Sequence, residues 1–194
     1  MGIAENDLLI IIQGTGINID KGAEELIDAV NISDGVSLLV AGSGDVVPEL
    51  KDRVSDLKIG YKVKFIPAVN WETLMKYTRS ADLGMCIEKD TNINYRFSLP
   101  NKLFDYLSAG LPVIASKLPE TEKIISENSC GIIIEAVTPE LISEAVLLLK
   151  NNPAMLEGLK RNAVKASLII NWDLESIKVK DLYTNVLSRE GNHR

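Results

Sequence analysis

The sequence predicts an α/β chain built on a doubly wound parallel sheet of six strands, with helices on both faces and a helical C-terminal extension. Three observations predict it. Short apolar runs alternate strictly with amphipathic stretches, the pattern of strand–helix–strand units whose right-handed crossovers make the strands parallel. Several runs, LLIII at 8–12 among them, are apolar without interruption, as strands covered on both faces must be. Finally, 194 residues with 46% hydrophobic content hold one substantial core, with no linker-like stretch to divide it.

The elements follow in order. LLIIIQ (8–13) is the first strand, and GTG ends it. DKGAEELIDAVN then sets Ala23, Leu26, Ile27 and Val30 on one helical stripe. VSLLVAG (36–42) is the second strand and VVPELKDRVSDL a helix; KVKFIP (62–67) is the third strand. NWETLMKYTRSA is a helix with Asn70 as its N-cap. DLGMCIE (82–88) is the fourth strand, EKDTNINYRFS a polar loop, and Pro100 opens a helix running to Ser108. LPVIAS (111–116), PETEKIISEN and CGIIIE (130–135) add a strand, a helix and the sixth strand, and the remainder is helical. This is a Rossmann-like order, in which ligands bind where the strands end. The candidate loops are therefore 13–21, 42–47, 67–70, 88–101 and 116–119.

Composition narrows the function. A net charge of −6 argues against sequence-independent nucleic-acid binding, which needs basic surface. Cys86 and Cys130 lie in apolar runs with neither zinc-site nor C-x-x-C spacing, and are expected to be buried free thiols in a reducing compartment. MGIAEND lacks a signal peptide's basic and apolar regions, and no window holds the 18 or so apolar residues of a membrane span. A soluble cytoplasmic protein is expected. The one histidine, His193, stands next to the C-terminal residue and is a poor general base there.

Three stretches hold the candidate chemistry. QGTGINIDKG brings Gly14, Thr15, Gly16 and Lys21 to a turn before a helix; glycines turn backbone N–H groups toward an anion, and a helix N-terminus adds positive potential. The third glycine of a dinucleotide fingerprint is not in place. AGSGD repeats the theme with Gly42, Ser43 and Gly44. Around Pro100, Ser98 and Asn101 supply hydrogen-bonding groups, and Lys102 and Asp105 share one helix face. A lysine in a first turn opposes the helix dipole unless an anion is near. A bound phosphate would resolve the anomaly and Asp105 could accept from a ribose diol; a plain Lys102–Asp105 surface pair is the other reading.

The string SLPNKLFDYLSAGLPVIASKLPE, preceded by SADLGMCIE and followed by CGIIIE, resembles the C-terminal domain of GT-B glycosyltransferases. The likeness is to the large retaining family that includes bacterial capsule and lipopolysaccharide sugar transferases, and it extends over about residues 8–188. It implies one domain over 1–194, with a core at about 8–168 and helices at about 169–188 that cross toward an N-terminal acceptor domain not contained in the chain. It implies a UDP- or GDP-sugar donor, a hexose passed to a polysaccharide or lipid-linked acceptor, no cofactor and no metal. Lys21 and the backbone of Gly14–Gly16 would face the diphosphate, and Pro67, Ala68 and Val69 would border the base. Ser98, Leu99, Pro100, Asn101 and Lys102 would hold the diphosphate and sugar, and Asp105 the ribose. Lys21 and Lys102 would stabilise the leaving diphosphate.

The chain departs from that pattern in three places. Asp105 stands where the family has glutamate, Phe97 replaces the glutamate eight residues earlier, and Thr15 and Gly16 stand where a basic residue often follows the first glycine. The family's catalytic histidine, where it has one, belongs to the other half, which fits the lack of an internal histidine here. The chain alone is expected to show little transfer, and the full enzyme to have no membrane span, with a peripheral association at most. Two other functions use the same fold, a non-catalytic nucleotide-binding module and half of a sugar-nucleotide epimerase.

Overall fold

A computed structural model describes residues 3–4 and 6–190; His193 lies outside the described residues. In chain order the elements are β1 (Leu8–Gly14), α1 (Ala23–Asn31), β2 (Val36–Gly42), α2 (Val47–Asp56), β3 (Val63–Ile66), α3 (Trp71–Arg79) and β4 (Leu83–Cys86). Then come α4 (Ile93–Phe97), α5 (Asn101–Ser108), β5 (Val113–Ser116), α6 (Pro119–Asn128), β6 (Gly131–Ile134), α7 (Pro139–Lys150), α8 (Pro153–Ile169) and α9 (Trp172–Glu190). The six strands form one sheet in the order β3-β2-β1-β4-β5-β6, and every pairing is parallel.

Strand periodicity explains why the sheet is buried twice. Along β1, Leu8, Ile10 and Ile12 enter one core while Leu9 and Ile11 enter the other; along β2, Val36, Leu38 and Val40 part from Leu39 and Ala41 in the same way. The first core packs against α1, α2 and α7 through Leu26, Ile27, Leu50, Val54, Ile142 and Val146. The second packs against α5, α6 and α8 through Leu103, Leu107, Ile125, Ala163 and Ala166. The stripe expected on α1 is the buried one. Each such large aliphatic side chain, fully buried, contributes about 1.5–3 kcal/mol. Both cysteines are buried free thiols, and burial raises their pKa values, that of Cys130 to about 11.

Three details differ from the expectation. The loop after β4 contains α4, because Asn92 accepts from the Tyr95 amide and caps a single turn. Pro100 is the residue before α5 rather than its first helical residue, with extended backbone (φ −72°, ψ 137°). Strand β5 starts at Val113, since Gly110 turns with φ 75° and the Leu111 amide closes the helix by donating to the Tyr106 carbonyl. The N-cap at Asn70 is as expected, its side chain accepting from the Thr73 amide at 2.9 Å.

The topology sets the site. After β3 the chain returns to the middle of the sheet and builds outward the other way, so β1 and β4 flank the point of reversal. There the ladder is short, pairing only Ile10 with Leu83 and Ile11 with Gly84. Beyond it Tyr106 of α5 inserts its hydroxyl, which accepts from the Gln13 amide at 3.2 Å and lies 3.2 Å from the Ile11 carbonyl and 3.4 Å from that of Met85. The wedge seats the N-terminus of α5 over the crevice where such sheets bind ligands.

Candidate functional site

A cleft of about 220 Å³ opens at this crevice, lined by Gln13–Gly16, Lys21, Leu74, Glu88 and Pro100–Lys102 with Asp105. The loop after β1 forms one wall, with Thr15 and Gly16 exposed. That loop is braced by the loop after β2: the Ser43 amide donates to the Gly14 carbonyl at 3.0 Å, and the Ser43 carbonyl accepts from the Ile17 amide at 3.0 Å. A Cβ on Gly42 or Gly44 would run into the backbone of Gly14 or Ile17. The two glycine loops therefore divide the work. Gly14, Thr15 and Gly16 line the cleft, while Gly42, Ser43 and Gly44 hold them up from outside it.

Lys21 reaches the cleft through two left-handed residues, Asp20 (φ 66°) and Gly22 (φ 75°). A side chain at Gly22 would meet the Ile87 carbonyl, and the Lys89 amide donates to the Asp20 carbonyl at 2.8 Å. The turn thus lies on the end of β4, which sequence reasoning did not anticipate. Its ammonium stands 4.0 Å from the centroid of the Tyr95 ring and 3.8 Å from Glu88 Oε1. Lys102, in the first turn of α5, places its Nζ 2.8 Å from the same oxygen.

Glu88 is the residue that the sequence reading missed. Its side chain is 3% exposed, against 19% for Lys21 and 12% for Lys102. Burial would push its carboxyl up, but Lys102 first and Lys21 second outweigh that and hold it below the usual carboxylate range. Lys102 moves up: burial opposes its charge, and Glu88 overcomes burial. Lys21 moves down, because burial and the repulsion of Lys102 outweigh the pull of Glu88. The first-turn lysine does have an anion beside it, and that anion is a protein carboxylate.

Asp105 does not pair with Lys102. Its Oδ2 accepts from Gln13 Nε2 and its Oδ1 from Trp71 Nε1, each at 3.1 Å, so β1 and α3 orient it toward the cleft. Neither Gln13 nor Trp71 is near it in sequence, which is why spacing alone left a surface pair open beside a ligand contact. Ser98 donates to the Tyr95 carbonyl at 3.3 Å at the end of α4. Pro100 and Asn101 line the cleft, whereas Leu99 is 39% exposed outside its lining. Pro67, Ala68 and Val69 are exposed at the tip of β3; Pro67 borders a neighbouring hollow with Lys51 and Phe65.

The arrangement can receive an anion. Lys21, Lys102 and Glu88 leave one positive charge beside the N-terminus of α5, which Asp105 offsets over the cleft as a whole. The amides of Asn101 and Lys102 precede the first bonded amide of α5, that of Leu103, which donates to the Pro100 carbonyl. Among the described residues no group of three or more His, Cys, Asp and Glu side chains is placed to hold a metal ion. No helix among them is long and apolar enough to cross a membrane.

Fold and site together define a parallel α/β domain with a lysine-bearing cleft at the reversal point of its sheet. Residues 2–166 match the family model described as glycosyl transferases group 1. The chain belongs to that family, as a C-terminal domain of the GT-B fold. It is 27% identical over 168 residues to the uncharacterized glycosyltransferase MJ1607 of Methanocaldococcus jannaschii, a match covering 85% of this chain and 41% of that protein. Among solved structures it superposes on Anabaena Alr3699/HepE in complex with UDP-glucose with a TM-score of 0.77 at 16% identity, covering 95% of this chain and 49% of that one. It also superposes on the C-terminal domain of LpcC, a glycosyl transferase group 1 family protein from Francisella tularensis, with a TM-score of 0.67 at 17% identity, covering 83% and 84%. The chain thus spans less than half the length of the archaeal relative and of the HepE chain.

Proposed function

We propose that the chain is the donor-binding half of a retaining glycosyltransferase that takes a UDP- or GDP-sugar and passes its hexose to a polysaccharide or lipid-linked acceptor. One observation carries the reading: Lys21, Lys102 and the N-terminus of α5 converge on a cleft at the reversal point of the sheet. The family membership and the UDP-glucose bound by HepE support a nucleotide sugar as the ligand.

In this reading the diphosphate lies against Gly14–Gly16 and the first turn of α5. As the glycosidic bond breaks, negative charge grows on the leaving diphosphate, and groups already aimed at it lower the barrier. Lys21 and Lys102 supply that charge, so the reaction is assigned no metal. Asp105, already oriented by Gln13 and Trp71, accepts from the ribose hydroxyls, and Pro67–Val69 border the base. A second domain would close the cleft and bring the acceptor, and the whole enzyme would work in the cytoplasm or at the membrane's inner face.

Calorimetric titration with UDP and GDP tests the reading. One of the two is expected to bind with a Kd in the micromolar to low millimolar range, about −4 to −8 kcal/mol. No heat from either at millimolar concentration would sink it.

A further inference from the structure

Glu88 poses a difficulty within the diphosphate reading, since a carboxylate occupies the place where the ligand's charge should be welcome. It is no incidental neighbour. Its side chain is nearly sealed from solvent, and both lysines approach the same oxygen, at 2.8 Å and 3.8 Å. Its backbone is fixed as well, because the Ser116 hydroxyl donates to the Glu88 carbonyl at 2.6 Å.

Charged groups of several elements surround it: Asp105, held by Gln13 and Trp71, shares its cleft, and Asp90, Lys117 and Glu135 border a second hollow that Glu88 also lines. The loop after β1 contributes Lys21, α5 contributes Lys102, β4 contributes the Cys86 thiol 3.5 Å from Oε2, and α4 lays the Tyr95 ring against Lys21. Lys89, the next residue, is engaged elsewhere, 2.7 Å from Glu25. Two ammonium groups this close and this dry repel, and the cheapest relief is for one to lose its proton. A carboxylate between them removes that relief.

We propose that Glu88 is a positioning residue, which holds Lys21 and Lys102 charged and side by side in the empty cleft so that both meet an arriving anion. The proposal rests on the diphosphate reading for its purpose, but not for its physics. Lys21 is the member at risk, since burial and Lys102 already depress its proton affinity while Glu88 opposes them. With Glu88 neutral, Lys21 would shed its proton at lower pH and leave one cation where two are needed.

The first test needs no ligand. Lysine side-chain methylene signals of the full chain, followed by NMR from pH 6 to 11, report the Lys21 midpoint. Glu88→Gln is expected to lower it by about one pH unit or more. Glu88→Asp, which draws the carboxylate back by one methylene, is expected to lower it by a smaller amount and answers the same question should Glu88→Gln fail to fold. An unmoved Lys21 midpoint in either folded variant overturns the proposal, because a merely structural carboxylate would leave it in place.

The second test uses inorganic sulfate, whose charge is constant over this range. Its affinity for Glu88→Gln is expected to fall with rising pH at a midpoint displaced downward with that of Lys21. If the Lys21 midpoint moves and sulfate binds neither protein, Glu88 holds the lysines as proposed and the anion-cleft reading is what fails.

Discussion

Lys102→Ala is expected to weaken binding of the nucleoside diphosphate about 30-fold, while the free nucleoside binds within about twofold of its original affinity. The difference follows from where the ammonium sits. It is in the first turn of α5, 2.8 Å from Glu88, on the cleft wall shared with Lys21. A hydrogen bond to a charged group contributes about 1.5–3 kcal/mol, and the variant removes one while leaving Glu88 facing the phosphates with only Lys21 to balance it. Asp105, one turn on, is held by Gln13 and Trp71 rather than by Lys102, so the ribose contact should survive. Lys117, whose partner is the exposed Glu135, makes the control: Lys117→Ala should change neither affinity. Equal losses for nucleotide and nucleoside with Lys102→Ala would contradict its assigned role.

Gly84→Ala is expected to destabilise the fold by about 2–3 kcal/mol, read from denaturant or thermal unfolding. Gly84 faces the Tyr106 ring directly, and a Cβ there would overlap its Cγ, Cδ1 and Cδ2 atoms. The ring has nowhere to go. It is fully buried, and its hydroxyl satisfies the Gln13 amide at the reversal point. Whatever yields must move α5, so the substitution should also disturb the cleft wall that α5 supplies. Gly60→Ala, with nothing within 4 Å of the added atom, should shift stability by less than about 0.5 kcal/mol.

Much of the architecture was legible because it follows from one-dimensional patterns. The uninterrupted apolar runs of β1 and β2 announced a sheet buried twice, and the stripe of α1 announced which face it covers. Helix α6 begins at a proline and was readable at both ends. The short strands β3 to β6 were read two or three residues too long, since apolar residues such as Leu111 and Ile87 stay buried beyond the ends of the ladder. Helix α4 escaped notice because a single turn has no periodicity to display; Asn92 was its one local signal.

The site divides along the same line. Lys21, Lys102 and Asp105 could be placed at the ligand edge from local pattern. Glu88 could not, because the last residue of a buried run reads as a strand end, and its partners lie 67 positions before and 14 after it in sequence. A trace of it was present nonetheless. Lys102 in a first turn required an anion nearby, and the structure supplies a protein carboxylate where a ligand phosphate was the expectation. That changes how the lysine is understood. It is held charged in advance by Glu88, so the case for a ligand now rests on the local positive charge of Lys21, Lys102 and Glu88, the first two amides of α5 and the family to which the chain belongs.

The most direct measurement is amide NMR of the full chain during titration with UDP and GDP. The nucleotide that binds is expected to move the signals of Thr15, Gly16, Lys21, Asn101 and Lys102 together, along one saturation curve. A saturable ligand whose shifts fall elsewhere and leave these five unmoved would contradict the proposed site.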